Sequence, residues 1–593
     1  MSRIDLKGNP FYLNASQILW VNETIKKMTI KEKIGQLFFP MGMTTKEAEL
    51  IKVVNDIKPG GMMYRPSKAK KVIKVHRVLQ KNSKIPMFLA ANLETGGNGI
   101  IDEGTFYATN MQVGASKNPK NAYRLGYLSN LEGSYVGCNM AFAPVIDINY
   151  NFRNPVTNVR SFGDNPELVS MMSAQYVKGA QDANCAVTIK HFPGDGTDSR
   201  DQHLVSTQNH LSYESWMKTY GKIYLESIKI GARGLMVGHI SFPAYIKKFF
   251  PKDTDQYTMP ATLNKYLINE LLRKELGYNG LTMTDASLMT GFGSFGKRKN
   301  LVPLSIAAGC DMFLFNRNIN EDFDFMMEGY KNGIITDERL NDALTRILAL
   351  KASMNLHEKS LDELVPKVFE NKTKELHKKW SAELADESVT LVRDTQNIIP
   401  LSLSSTKKIG VIFNGNESGM ASLFTNVPGI KGFLIRSLIK ISNVFGKKTY
   451  TPTESFVNLL KKEGFDAFEY SFGDIFKVLK DLDKPLEEWT NQFDLIIFLA
   501  KWETMSNQTS LQMQYKAIGF DAPWFVKEIP TMLVSIANPY QGFDVPMIQT
   551  VINGYSPKDD VYEAIINKLL GKSKFKGTSP VNLDYKEFDP TKI

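Results

Sequence analysis

Residues 186–203 read AVTIKHFPGDGTDSRDQH. The run Ala186-Val187-Thr188-Ile189 is apolar and largely β-branched, and it passes without a break into Lys190 and His191. Such residues favour a pleated, extended backbone, so the stretch predicts a buried strand. Phe-Pro-Gly then ends it with a turn. A short apolar strand that turns polar where it ends recurs through the N-terminal half of the chain. The others are QLFFP at 36–40, GGMMYR at 60–65, PMFLAANLE at 86–94, NMAFAPVID at 139–147, GLMVGHI at 234–240, GLTMTDA at 280–286 and DMFLF at 311–315. Helical periodicity separates them, as in SWMKTYGKIYLESIKIG at 215–231 and LNKYLINELLRKELG at 263–277. Alternating β and α elements predict a parallel sheet. Eight such units in about 250 to 350 residues predict a (β/α)8 barrel.

A barrel of this kind carries its chemistry at the C-terminal ends of its strands. Polar residues stand there: Asn92 and Glu94 after the third strand, Asp147 after the fourth, Lys190 and His191 on the fifth, His239 after the sixth and Asp285 after the seventh. The loop 190–203 adds three aspartates, an arginine and a second histidine, in a chain with only seven. Three readings compete for it. A metal site needs ligands at recognisable spacing, and His191 and His203 are separated by a turn-rich loop with no such pattern. A phosphate cradle needs a glycine-rich turn opening a helix, with few carboxylates nearby. A proton relay needs a carboxylate that holds an imidazole, and Asp201 and His203, at i and i+2, suit that arrangement. A surface histidine with an incidental acidic neighbour is the bland alternative.

The rest of the chain sets boundaries. Its 593 residues suit about two or three domains. The net charge of +10, from 72 basic and 62 acidic residues, is spread along the sequence and predicts no nucleic-acid partner. Three distant cysteines, Cys138, Cys185 and Cys310, make neither a disulfide framework nor a zinc spacing. There is no uninterrupted apolar run of about 18 residues and no apolar leader, so a cytoplasmic protein without a membrane span is expected, or a secreted one already trimmed. Residues 356–380 are charged and strand-poor and read as a helical linker. Beyond them strand and helix alternate again. The expected fold class is α/β: a (β/α)8 TIM-type barrel over 1–355, the linker over 356–380, and a smaller α/β/α sandwich over 381–593.

Several stretches resemble glycoside hydrolase family 3, in its β-N-acetylglucosaminidase branch. They are MTIKEKIGQLF at 28–38, PVIDINYNFRNPVTNVRSFGDNPELV at 144–169, KHFPG at 190–194 followed by Asp-x-His, LRKELGYNGLTMTDASLM at 272–289, AAGCDMFL at 307–314, ESVTLVRDTQNIIPL at 387–401 and INGYSPKDDVYEAIINKLLGKSKFKGTSPV at 552–581. The resemblance implies a retaining exo-β-N-acetylglucosaminidase acting on a carbohydrate substrate without metal or other cofactor. Asp285 would be the nucleophile, His203 the acid/base, and Asp201 its orienting partner. Lys190, His191 and Arg160 would bind sugar hydroxyls, unless Arg160 pairs with Asp147 or Asp164, and His239 would either support the site or pack. Where the family presents an aspartate, Glu-Gly-Gly and an arginine, this chain reads NLETGGNGI: Asn92 replaces the aspartate, Thr95 breaks the spacing, and Asn98 stands for the arginine. Glu94 is then the candidate to take over a hydroxyl contact. Asp195 stands where the branch often has histidine. The alternatives are a family 3 β-glucosidase, a phosphorylase, or a sugar-binding barrel without catalysis. Within the family, Glu503 of the second domain rivals His203 as acid/base.

Overall fold

The computed structural model describes residues 4–416, 450–473, 485–515 and 519–584. The chain forms two compact units, Met1–Val113 with Asn118–Trp380, and Gly114–Lys117 with Ser381–Ile593.

Among the described residues, the barrel of the first unit is built from eight parallel strands: β1 (Phe38–Phe39), β2 (Gly61–Met63), β3 (Phe88–Ala91), β4 (Met140–Ala141), β5 (Ala186–Phe192), β6 (Gly234–Val237), β7 (Leu281–Thr284) and β8 (Phe313–Leu314), with a separate parallel pair of Thr207–Gln208 and Ile240–Ser241. Strands β2 to β7 lie side by side in chain order. The ring closes through β8 onto β1, with Phe38 opposite Phe313. Single bridges seal the two seams: Met41 with Met63 between β1 and β2, and Met283 with Met312 between β7 and β8. This is the TIM-type barrel, with helices as the crossovers that parallel neighbours require. Phe38, Phe39, Phe88, Met140, Met236, Met283 and Met312 belong to its buried core. The strands are largely apolar because both faces are covered.

Residues 356–380 do not stand apart as a free linker but belong to this unit. Val365 is buried and its carbonyl accepts from Arg77, whose other nitrogen pairs with Asp362. His377 lies 2.6 Å from Glu132, both fully buried. The apolar residues that tie this charged segment down are too sparse to give a periodic signal.

The second unit is a six-stranded sheet in the order β9-β14-β13-β12-β10-β11, from β9 (Thr390–Asp394), β10 (Lys408–Gly415), β11 (Asp466–Glu469), β12 (Leu495–Lys501), β13 (Thr531–Ser535) and β14 (Thr550–Asn553). All neighbours are parallel except β9 on β14. Alternation along the strands splits their side chains between two cores. Ile409, Val411, Ile497, Leu499 and Val534 face one with the helices Pro452–Lys462 and Asp559–Leu569. Ile412, Ile496, Phe498 and Leu533 face the other with Trp502 and Phe525.

Candidate active site

The site is built at the C-terminal rim of the barrel. Asp285 follows β7 directly, and its backbone N–H continues the ladder by donating to Val237 at 2.8 Å. The side chain is buried, and Oδ1 accepts from the Ala286 N–H at 2.7 Å. Burial raises the carboxyl, but the fields of His191, His239 and His203 outweigh it, so Asp285 lies below the usual carboxylate range and is ionised.

Strand β5 supplies two adjacent side chains, which an undisturbed strand would send to opposite faces. Its register with β6 shifts by one residue between Lys190 and Phe192, leaving His191 as the extra position. His191 Nε2 stands 3.9 Å from Asp285 Oδ2, and its Nδ1 is 2.7 Å from Asp147 Oδ2. Asp147, in the segment that follows β4, is fully buried, and its Oδ1 accepts from the N–H groups of His191 and Asp195. Asp147, His191 and Asp285 therefore form one line across the rim.

Lys190 Nζ lies 2.6 Å from Glu94 Oε1. Arg160 grips the same carboxylate with both arms, Nη2 and Nε each at 2.9 Å. Arg160 thus pairs with Glu94 rather than with Asp147 or Asp164. Burial raises the Glu94 carboxyl, and the two cations more than reverse that, holding it well below the ordinary range. Burial lowers Lys190 despite the Glu94 charge. Glu94, Lys190 and Arg160 are one cluster of net charge +1, by one anion against two cations. Asn92 directly follows β3 and is exposed. Asn98 accepts from the Thr95 hydroxyl at 3.2 Å.

The dyad is formed. Asp201 Oδ1 lies 2.6 Å from His203 Nδ1 and also accepts the His203 backbone N–H at 2.8 Å. A carboxylate only accepts, so Nδ1 carries the proton and Nε2 is left to exchange one. Asp201 is fully buried, while the His203 side chain is 25% exposed. The loop is docked on the segment that follows Asp285: His203 O accepts from Thr290 N–H and Gln202 O from Gly291 N–H, both at 3.1 Å. Arg200 braces the loop through both oxygens of Asp198.

His239 is buried, with Nε2 donating to the Ala286 carbonyl at 3.0 Å and Nδ1 hydrogen-bonded to Thr262 at 2.9 Å. Burial lowers its pKa and the Asp285 charge opposes that, while the ring props the loop that follows Asp285. Reasoning from sequence left Asp147 without a role and missed Gln202 and Asn154, which fasten the dyad loop. For Asp147 a signal existed, a lone carboxylate ending an apolar run. In the second unit Glu503 pairs with Lys501 at 2.9 Å. Among the described residues no group of His, Cys, Asp and Glu is arranged to hold a metal ion, and no helix is long and apolar enough to cross a membrane.

A closed β/α barrel that gathers carboxylates and imidazoles at the C-terminal ends of its strands has the layout of a barrel enzyme's active site. The sequence model described as "Glycosyl hydrolase family 3 N terminal domain" matches residues 29–350. A curated relative, "Beta-N-acetylglucosaminidase/beta-glucosidase" of Cellulomonas fimi, is 35% identical over 580 residues, covering 98% of each chain. Among solved structures, "Beta-glucoside phosphorylase BglX" superposes with a TM-score of 0.86 at 37% identity, covering 98% of each chain. The β-N-acetylglucosaminidase of Paenibacillus sp. str. FPU-7 shares the fold at a TM-score of 0.75 and 23% identity, over 94% of this chain and 99% of that one. The chain belongs to glycosyl hydrolase family 3.

Proposed function

We propose that this chain is a retaining, exo-acting β-N-acetylglucosaminidase. It forms a glycosyl ester on Asp285 and uses His203, held by Asp201, as acid/base. The observation that supports this reading is the docking of the loop bearing Asp201 and His203 on the residues just beyond Asp285, since the mechanism needs His203 and Asp285 on one rim. In the first step Asp285 attacks the anomeric carbon. The bond to the aglycone breaks with its electron pair on the glycosidic oxygen, which takes the proton from His203 Nε2. In the second step neutral Nε2 takes a proton from water as its oxygen attacks the same carbon, and the ester bond to Asp285 breaks. Two inversions give retention. The cluster of Lys190, Arg160 and Glu94, with His191 and Asn92, binds the ring hydroxyls and positions it for attack.

The Cellulomonas fimi relative is named for both sugars, so β-glucosides are the companion substrates to test. Phosphate as acceptor is a second reading, favoured by the imidazole itself. After the first step His203 is neutral and repels an anion less than a carboxylate base would. The likeness to a β-glucoside phosphorylase points the same way.

The test is to trap the protein with a 5-fluoro N-acetylglucosaminyl fluoride and a 2-deoxy-2-fluoroglucoside, then map the labelled peptide by mass spectrometry. The expected label falls on Asp285. A label on another carboxylate, or none on a protein that turns the parent glycoside over, rejects the assignment. Adding inorganic phosphate to normal turnover separates a sugar 1-phosphate from the free sugar as product.

A further inference from the structure

We propose that Gln202 is a positioning residue which, with Asp195, clamps the acid/base loop to the nucleophile's rim so that His203 is aligned before any substrate arrives. The proposal rests on the reading of His203 as acid/base. Gln202 lies between the two members of the dyad, yet its side chain turns away from them and is fully buried. Its Oε1 accepts the backbone N–H of His239 at 2.9 Å, just past the end of β6. Its Nε2 donates to Asp195 Oδ2 at 3.2 Å, at the root of the loop leaving β5. Its own carbonyl accepts from Gly291. One side chain thus joins the end of β6, the root of the loop and its tip.

An amide is the group this needs, because one end must accept while the other donates, in fixed orientation. Asp195 is its complement, since only donors meet the carboxylate. Oδ1 accepts from Gly196 N–H at 2.7 Å and from Asn154 Nδ2 at 3.0 Å, and Oδ2 from Gln202. The Asp195 backbone N–H donates to Asp147 Oδ1 at 2.8 Å, and its carbonyl accepts from Tyr220. The clamp therefore continues into the pair that holds His191 against Asp285. Loop tip and nucleophile share one hydrogen-bonded frame. The position of Asp195 is also where this chain departs from the branch it resembles.

The experiment measures kcat/KM for two aryl glycosides, 2,4-dinitrophenyl and phenyl, each as the N-acetyl-β-glucosaminide and the β-glucoside. A dinitrophenolate leaves without protonation, whereas a phenolate needs the acid. Because kcat/KM ends at the first irreversible step, the identity of the acceptor does not enter. H203A is expected to lose about 10²- to 10⁴-fold on the phenyl glycoside and little on the dinitrophenyl one. Q202E sets two carboxylates against each other and is expected to lose about 10- to 100-fold on the phenyl glycoside alone, as a misaligned group does. The double variant D195N/Q202E exchanges donor and acceptor and is expected to return to within about threefold of the parent. A loss for Q202E that is equal on both aglycones, or a double variant no better than Q202E, overturns the clamp while selective loss in H203A leaves the acid/base intact. If H203A shows no leaving-group dependence, or the parent cleaves neither sugar, the acid/base reading fails and takes the clamp with it. Should Q202E not fold by circular dichroism, Q202M carries the same comparison: selective loss supports the clamp, and uniform loss or none overturns it.

Discussion

Burial works against the charge on Asp285, and three imidazoles, His191, His239 and His203, decide the balance in favour of ionisation. Removing one of them lets the carboxyl rise towards its ordinary value. His191→Asn should therefore move the acid limb of kcat/KM to higher pH, read with a dinitrophenyl glycoside so that His203 drops out. A limb that stays put or moves down contradicts this account. Asp285→Ala should cost on the order of 10⁴-fold in kcat with the protein still folded. Glu94 carries a different load. Glu94→Ala leaves Lys190 and Arg160 as uncompensated buried cations, at a cost of about 3 kcal/mol. Its KM should rise by about tenfold, equivalent to roughly 1.4 kcal/mol, with Glu94→Gln milder on both counts. Denaturant titration and initial rates check the two effects separately. At this scale the sequence was informative about local pairing and uninformative about distant pairing. The contact of Asp201 with His203 was legible from their i, i+2 spacing, whereas catalytic roles for Asp285 and His203 came only from the resemblance. That Glu94 serves Arg160 and Lys190 was not legible, because the two partners come from the long loop after β4 and from β5, far from Glu94 in sequence.

The strands were legible because each is a short apolar run bounded by turns. Their shortness in the structure, two residues in β1, β4 and β8, reflects tilted neighbours that share only a few ladder bonds. The register shift at His191 was invisible, since alternation says nothing about where a ladder slips. Helices carry information of another kind. The helix Asp337–Ser353 buries Lys351 completely, with Nζ donating to Gln36 Oε1 at 2.7 Å and lying 5.1 Å from the Phe88 ring centre. Burial pulls its pKa down to about 7, against about 10.4 in an unfolded chain. Between those values the folded state binds fewer protons, so stability rises with pH across that window and is lost as pH falls through 7. Lys351→Met removes the dependence. Its melting temperature relative to the parent should be most favourable near pH 6 and decline towards pH 10, by at least about 2 °C. A difference that is flat with pH means that Lys351 stays charged in the fold.

Two alternating β/α patterns in one chain predict two units, and the chain splits into two compact units. What the pattern could not convey is that the charged segment after residue 356 packs with the barrel, because a few anchors such as Val365 and His377 do that work without periodicity. The division also frames the question of which unit supplies the proton. If the barrel does, Glu503→Gln keeps kcat on a phenyl glycoside within about threefold, whereas His203→Ala loses about 10²- to 10⁴-fold. The reverse pattern hands the acid/base to the second unit. The docked loop of the barrel can meanwhile be watched with no substrate present. The amide hydrogens of Thr290 and Gly291 end on the carbonyls of His203 and Gln202, so each exchanges with deuterated solvent only when that loop lifts. Their exchange rates measure how long His203 and Asp285 stay on one rim.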